Sequence, residues 1–285
     1  MAVYKRGYEP YEGRLTPEWS RFLIIARHAY RGVFDSRFLI AFFVVCAVYP
    51  LFCVGAIYLP YNAAADALLE GRSLFPVDAH FFAKFLGWQG MLAFMLTGFL
   101  GPGLIAPDLT NNALPLYFCR PFSRTEYVVG KMAVLAILLS LITWAPGLLL
   151  FGFKAYMAGL GWFAQNWWMA AGMFIGSWAW IVVLCFLALA MSAWVKWRIA
   201  AASLIFGIIF VAAGFGEAIN HSMHTQIGYA VNLLKIIESI WLSLFRIGRE
   251  ADLPVPLAWT LLVAFCGVCY LLLATKLRAY HVERS

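Results

Sequence analysis

What this chain lacks is charge. Asp, Glu, Lys and Arg make up 12% of its 285 residues, while hydrophobic residues make up 64%. A soluble globule carries about twice that charged fraction, because its surface has to be wetted. So small a share over this length excludes a soluble globule, and no long polar stretch is left to build a second core. The first twenty residues lack the apolar centre of a cleavable signal peptide, so the first membrane span is expected to act as its own insertion signal. No G-x-x-x-x-G-K-[ST] loop occurs: Gly130-Lys131 is followed by Met132, and Thr125 stands where the first glycine belongs. The chain has no such cradle for ATP phosphates. No Ser/His/Asp or Cys/His set suggests a catalytic centre, so an enzyme is not expected.

What is present is apolar sequence in long runs. A helix needs about 20 mostly apolar residues to cross the hydrocarbon core. Six runs qualify, over 38–59, 85–105, 132–153, 168–195, 199–216 and 256–274. Backbone groups cannot go unpaired in lipid, so each is expected to be helical. The reading is an all-α integral membrane protein with one transmembrane domain over 1–285: an N-terminal segment (1–37), a six-span core (38–274) and a short tail (275–285).

Orientation follows from the basic residues. With the N-terminus inside, 15 of the 21 Lys and Arg fall on the inner side, whereas the 14 acids divide evenly. Both termini are therefore expected in the cytoplasm, across a cytoplasmic (inner) membrane. The net charge of +7 then reflects a rim attracted to anionic lipid headgroups, not a nucleic-acid surface.

Two amphipathic segments do not fit as spans. Over 17–34, Trp19, Phe22, Leu23, Ala26, Tyr30 and Val33 recur at helical spacing between basic residues, which predicts an elbow helix in the cytoplasmic interface. Over 226–247, Asn232, Lys235, Ser239, Ser243 and Arg246 form a polar stripe on one helical face, which predicts an interfacial or re-entrant helix on the outer side.

The loop between spans two and three carries the most information. Asp108 is placed to cap a short helix running to about residue 118. Arg120-Pro121 breaks the chain, and Ser123 with Glu126 three residues on reads as a capping box for the next helix. From Asp108 to Lys131 the pattern is D-L-x-N-x-A-L-x-L-x-x-x-R-P-x-S-R-x-E-Y-x-x-G-K. It resembles the signature of ABC transporter permeases of the type-2 export-permease family. That resemblance implies six spans, an elbow helix, short helices in the last outer loop, and a coupling helix over 108–118 that docks into a separate ATPase subunit. Asp108, Asn111, Asn112, Leu114, Tyr117, Arg120, Pro121, Ser123, Arg124 and Glu126 would lie at that joint. It also implies a second permease protomer, with ATP and magnesium bound on the partner ATPase and no cofactor on this chain. A substrate that is hydrophobic or amphiphilic suits spans with few polar groups. The alternative is a non-transporting scaffold that anchors a larger complex.

Lesser features remain. Glu217, His221 and His224, at i, i+4 and i+7, would share one helical face and are the candidate metal ligands, although a water-bonded polar helix end is the simpler account and no metal is expected. Gly172-x-x-x-Gly176 permits close helix approach, within the chain or across a dimer. Gly98, Gly101, Pro102 and Gly103 suit a hinge at the cytoplasmic end of span two. The six cysteines, Cys266-x-x-Cys269 included, lie almost entirely in apolar runs, where thiols behave as small hydrophobes.

Overall fold

The structure, a computed structural model, describes residues 30, 36–62, 76–111, 124–195, 197–247 and 252–282. No strand occurs among them, and six helical segments are long and apolar enough to cross a membrane. They run Arg37–Tyr61, Ala79–Asp108, Thr125–Ala158, Leu160–Trp194, Arg198–Met223 and Val255–Lys276. Each contains or overlaps one of the runs found by hydropathy, as a multi-pass membrane protein requires. Six successive crossings bring residues 37 and 276 to one end of the bundle, the terminal end; the other is the distal end. Of the elbow segment 17–34, all but Tyr30 lies outside the described residues.

The first span is α1 (Arg37–Tyr58) with a 3-10 turn at Leu59–Tyr61; the second is α2 (Ala79–Leu100) and α3 (Pro102–Thr110). The third is α4 (Arg124–Ile142) and α5 (Trp144–Ala158), the fourth α6 (Leu160–Trp194), and the fifth α7 (Arg198–Met223). A 3-10 turn, Ile227–Ala230, and a short helix, α8 (Leu233–Leu244), precede the last, α9 (Val255–Val282). Spans two, three and four are 56–67% buried over their most apolar windows, against 17–22% for spans one, five and six. The core therefore lies among α2, α4 and α6. Lipid tails are as apolar as leucine, so side-chain packing, and not hydropathy, selects the inner helices.

Interruptions in the spans have identifiable chemical causes. Pro50 in α1 has no N–H to offer the Cys46 carbonyl one turn back. The buried Gln89 of α2 supplies the missing donor, Nε2 to Cys46 O at 3.1 Å. In the third span the helix turns at Thr143, three residues before Pro146, and the Thr143 hydroxyl donates to Leu139 O at 2.8 Å.

The interval 154–167, which the third and fourth apolar runs leave between them, is helical too. The only break is Gly159, at φ 88° and ψ 169°, a conformation essentially confined to glycine. Lys154, which lowers the local hydropathy, is accommodated at the turn. Its ammonium donates to the Tyr61 hydroxyl at 3.0 Å and lies 5.9 Å from the centre of the Trp162 ring.

The amphipathic segment 226–247 is two short elements, of which α8 has 12 residues and so extends only about 18 Å. Its expected polar stripe does not face one medium. Asn232 is buried and caps α8, accepting from the N–H groups of Leu234 and Lys235 at 3.1 and 3.3 Å, and Ser239 is buried with the packed face. Lys235 bridges Asp252 at 2.9 Å and Glu238 at 3.0 Å. Burial lowers its affinity for the proton, but the bonds to Asp252 and Glu238 outweigh this and hold the ammonium above the ordinary lysine range.

The partner of α8 answers the question posed by Gly172-x-x-x-Gly176. A Cβ on Gly176 would lie 2.9 Å from Trp241 Cδ1, and one on Gly172 would lie 3.2 Å from Leu244 O. Trp241 also donates from Nε1 to Gly176 O at 3.0 Å. The two glycines therefore admit α8 within the same chain.

A second close approach lies at the distal end of span five, where Gly216 meets Gly228 backbone to backbone and Gly228 N donates to Asn220 Oδ1 at 2.7 Å. A methyl on Gly228 collides with the Gly216 carbonyl, which cannot rotate away as a side chain would. Gly228→Ala is expected to destabilise the solubilised protein by about 1–3 kcal/mol, read as a lower unfolding midpoint. Gly214→Ala, where a Cβ meets nothing within 4 Å, is the control expected to hold or raise it.

Candidate functional site

The second span breaks at Gly101, and α3 begins with Pro102 at its first position, where the missing N–H costs nothing. The next amides need acceptors. Leu104 N bonds to Gly101 O at 3.0 Å, while Ile105 N and Ala106 N both donate to the Ser192 hydroxyl of α6, at 3.0 and 2.9 Å. That hydroxyl donates in turn to Pro102 O at 3.2 Å. One donor and two acceptor sites are thus all used. Ser192, Ile105 and Ala106 are fully buried, so water cannot substitute. The expected hinge at Gly101 is a real discontinuity, and α3 beyond it is held by α6.

Asp108 sits in the last turn of α3, not at the start of a helix. The expected N-cap is corrected: the helix has already restarted at Pro102 under the Ser192 hydroxyl. An acid near a helix C-terminus opposes the helix dipole, so other partners must hold it. They come from α4. Lys131 Nζ lies 2.8 Å from Asp108 Oδ2, and the Tyr127 hydroxyl donates to the same oxygen at 2.7 Å. Tyr127 and Lys131 are one turn apart and share a face, with the ammonium 5.5 Å from the ring centre. Tyr127 is fully buried, and the side chains of Asp108 and Lys131 are only 17% and 11% exposed. The charge of Lys131 is therefore neutralised within the protein.

No family model matches this chain, and no curated protein matches it.

Of the ten residues assigned to the joint, Asp108, Asn111 and Glu126 are placed. Asn111 is exposed just past α3, with its amide bonded to Pro107 O at 3.0 Å. Glu126 lies in the first turn of α4, where the dipole favours an acid. Asn112, Leu114, Tyr117, Arg120, Pro121 and Ser123 lie outside the described residues, as does the Arg124 side chain. Tyr30 reaches the same helix, donating to Ala133 O and Val134 O at 3.2 and 3.3 Å. Burial pushes its phenol up to about 12, so it remains a hydrogen-bond donor across the physiological range.

Sequence reasoning missed Ser192, for which no local signal exists, and did not assign Tyr127 and Lys131 to the joint. Their i, i+4 spacing opposite an acid at the other end of the pattern was the available hint. Among the described residues no group of three His, Cys, Asp or Glu is placed to hold a metal ion. Glu217 and His221 lie exposed on α7, and His224 leaves the helix at φ 48°, so the three do not share a helical face.

Proposed function

We propose that this chain is the membrane-spanning permease subunit of an ATP-driven ABC transporter that exports a hydrophobic or amphiphilic substrate, coupled to a separate ATPase through the segment between spans two and three. The observation that carries the reading is that the motif closes on itself. Its first residue, Asp108, is bonded to its last, Lys131, and to Tyr127 between them. Residues 112–123 therefore depart from and return to a clasped base.

A load applied to that segment passes to α4 through the Asp108–Lys131 pair and to α6 through Ser192. The break at Gly101 lets α2 change its angle to both. The basic asymmetry of the sequence supports a cytoplasmic terminal end, where an ATPase operates. The contact of Trp241 with α2 and α6 supports a re-entrant α8 on the outer side. A second protomer, identical or homologous, completes the translocation path.

Affinity capture of the solubilised chain, wild type beside Arg120→Glu/Arg124→Glu, tests the reading. The expected result is recovery of a Walker-motif ATPase with wild type and at least a tenfold loss with the double variant, as charge reversal at an interface produces. Recovery of no ATPase by either form rejects the permease reading in favour of a scaffold.

A further inference from the structure

A groove of about 930 Å³ opens between α2 and α8, away from the clasp. Its lining changes character with depth. Near the distal end stand Asp78, Lys84 and Glu238, and deeper lie Trp88, Met91 and Phe94. Lys84, Trp88 and Met91 are at i, i+4 and i+7, one face of α2. From Lys84 to Phe94 the helix advances about 15 Å, half of a roughly 30 Å hydrocarbon core and so the depth of one leaflet.

The chemistry changes along that depth. Lys84 is exposed and has no ion pair among the described residues; on the same rim Asp78 accepts only from the Phe81 N–H, at 3.0 Å, while Glu238 is already paired with Lys235. Below them the inner wall includes Trp180 and Trp241, packed edge to face with ring centres 6.3 Å apart. Both indole N–H groups are already used, Trp180 on Gly90 O at 2.9 Å and Trp241 on Gly176 O at 3.0 Å. Both rings are buried, so they close the floor of the groove and leave no free donor there.

We infer that this groove binds an acyl-chain amphiphile with a zwitterionic phosphate–amine headgroup, the phosphate on Lys84, the amine toward Asp78, and the chain along the exposed side chains of Trp88 and Met91. The volume is at the upper end of ordinary ligand sites. The rim has complementary charge for both ends of the headgroup, and a purely anionic lipid would leave the Asp78 carboxylate facing it. The inference names the substrate class for the export reading and rests on that reading for its role in transport; binding itself needs no ATPase.

Gly87 provides the blocking variant. It lines the groove, and a Cβ there meets nothing within 4 Å, so a larger side chain enters empty space without disturbing packing. Gly267 on α9 is equally unobstructed and lies elsewhere, which makes Gly267→Phe the matched control.

The full chain is reconstituted in phosphatidylglycerol vesicles containing a small amount of phosphatidylethanolamine with a diazirine in its acyl chain. It is then irradiated, and the labelled peptides are identified by mass spectrometry. Labelling is expected on peptides covering 79–100 and 233–244. It should fall about tenfold in Gly87→Phe and in Lys84→Glu, the loss of about 1.4 kcal/mol of binding, and stay unchanged in Gly267→Phe. Unlabelled lysophosphatidylethanolamine should compete with the wild type, giving a readout that needs no variant to fold. Labelling unaffected by Gly87→Phe and by competitor overturns the site. Equal labelling by a diazirine phosphatidylglycerol overturns the headgroup assignment. Selective labelling without a captured ATPase leaves the groove standing and rejects the permease reading; a captured ATPase with unselective labelling does the reverse.

Discussion

Asp108→Ala is expected to cost about 3–5 kcal/mol, the penalty for leaving one member of a buried ion pair without its partner. The reason lies in what remains. Lys131 is 8% exposed, and Asp108 is its one carboxylate among the described residues. Deleting the acid strands an ammonium in a low-dielectric setting, whereas Lys131→Met removes the charge together with the need for it. The cycle is therefore asymmetric. Asp108→Ala/Lys131→Met should recover most of the midpoint lost by Asp108→Ala, and Asp108→Asn, which still accepts from Tyr127, should fall between. The unfolding midpoint of the solubilised protein checks all three. If Asp108→Ala unfolds with wild type, the pair is a surface contact and not the clasp described here. In the permease reading the charge-free double variant has a second consequence. It should keep its stability but transmit less of the ATPase stroke, seen as ATP hydrolysis without matching transport.

Ser192→Ala is expected to cost about 2–4 kcal/mol, because two buried amides lose their acceptor together and each unsatisfied donor costs about 1–3 kcal/mol. The loss should appear at the terminal half of span two, as faster amide exchange at Ile105 and Ala106. The molecule contains its own control. Ser177 of the same helix is also fully buried, yet its hydroxyl has no partner among the described residues. Ser177→Ala should be neutral or stabilising, since it removes a polar group that burial penalises. A Ser192→Ala protein as stable as Ser177→Ala would mean that α3 holds its own first turn and needs no clamp from α6.

The unequal consequences expected of these two serines illustrate why the site was only partly legible. Both lie in an unbroken apolar run, and sequence spacing treats them alike. What separates them is that Ser192 faces the break at Gly101, about 90 residues earlier in the chain, while Ser177 faces no unsatisfied group. Asp108 is a similar case. A local reading finds an acid ahead of a short segment and makes it a cap, because capping depends on neighbours in sequence. Its actual partners are on another helix, and no one-dimensional rule connects them. The polar stripe on α8 failed for a related reason: a helical wheel reports which residues share a face but not what covers it, and Asn232 was committed to capping its own helix.

The sequence by itself determined that the described residues are all-helical with six apolar segments, and where each lies to within about a turn or two, except around residues 154–167. Hydropathy can decide such things because transfer into lipid is a sum over residues, each contributing by its own chemistry. Only the tertiary structure decided which three spans are buried, that Gly172 and Gly176 receive α8, that Asp108 closes onto Lys131, and that a charged-to-aromatic groove runs beside α2. These are pairings, fixed by distance between atoms remote in sequence, and in a chain whose lipid and interior are equally apolar, composition cannot indicate which surface meets which.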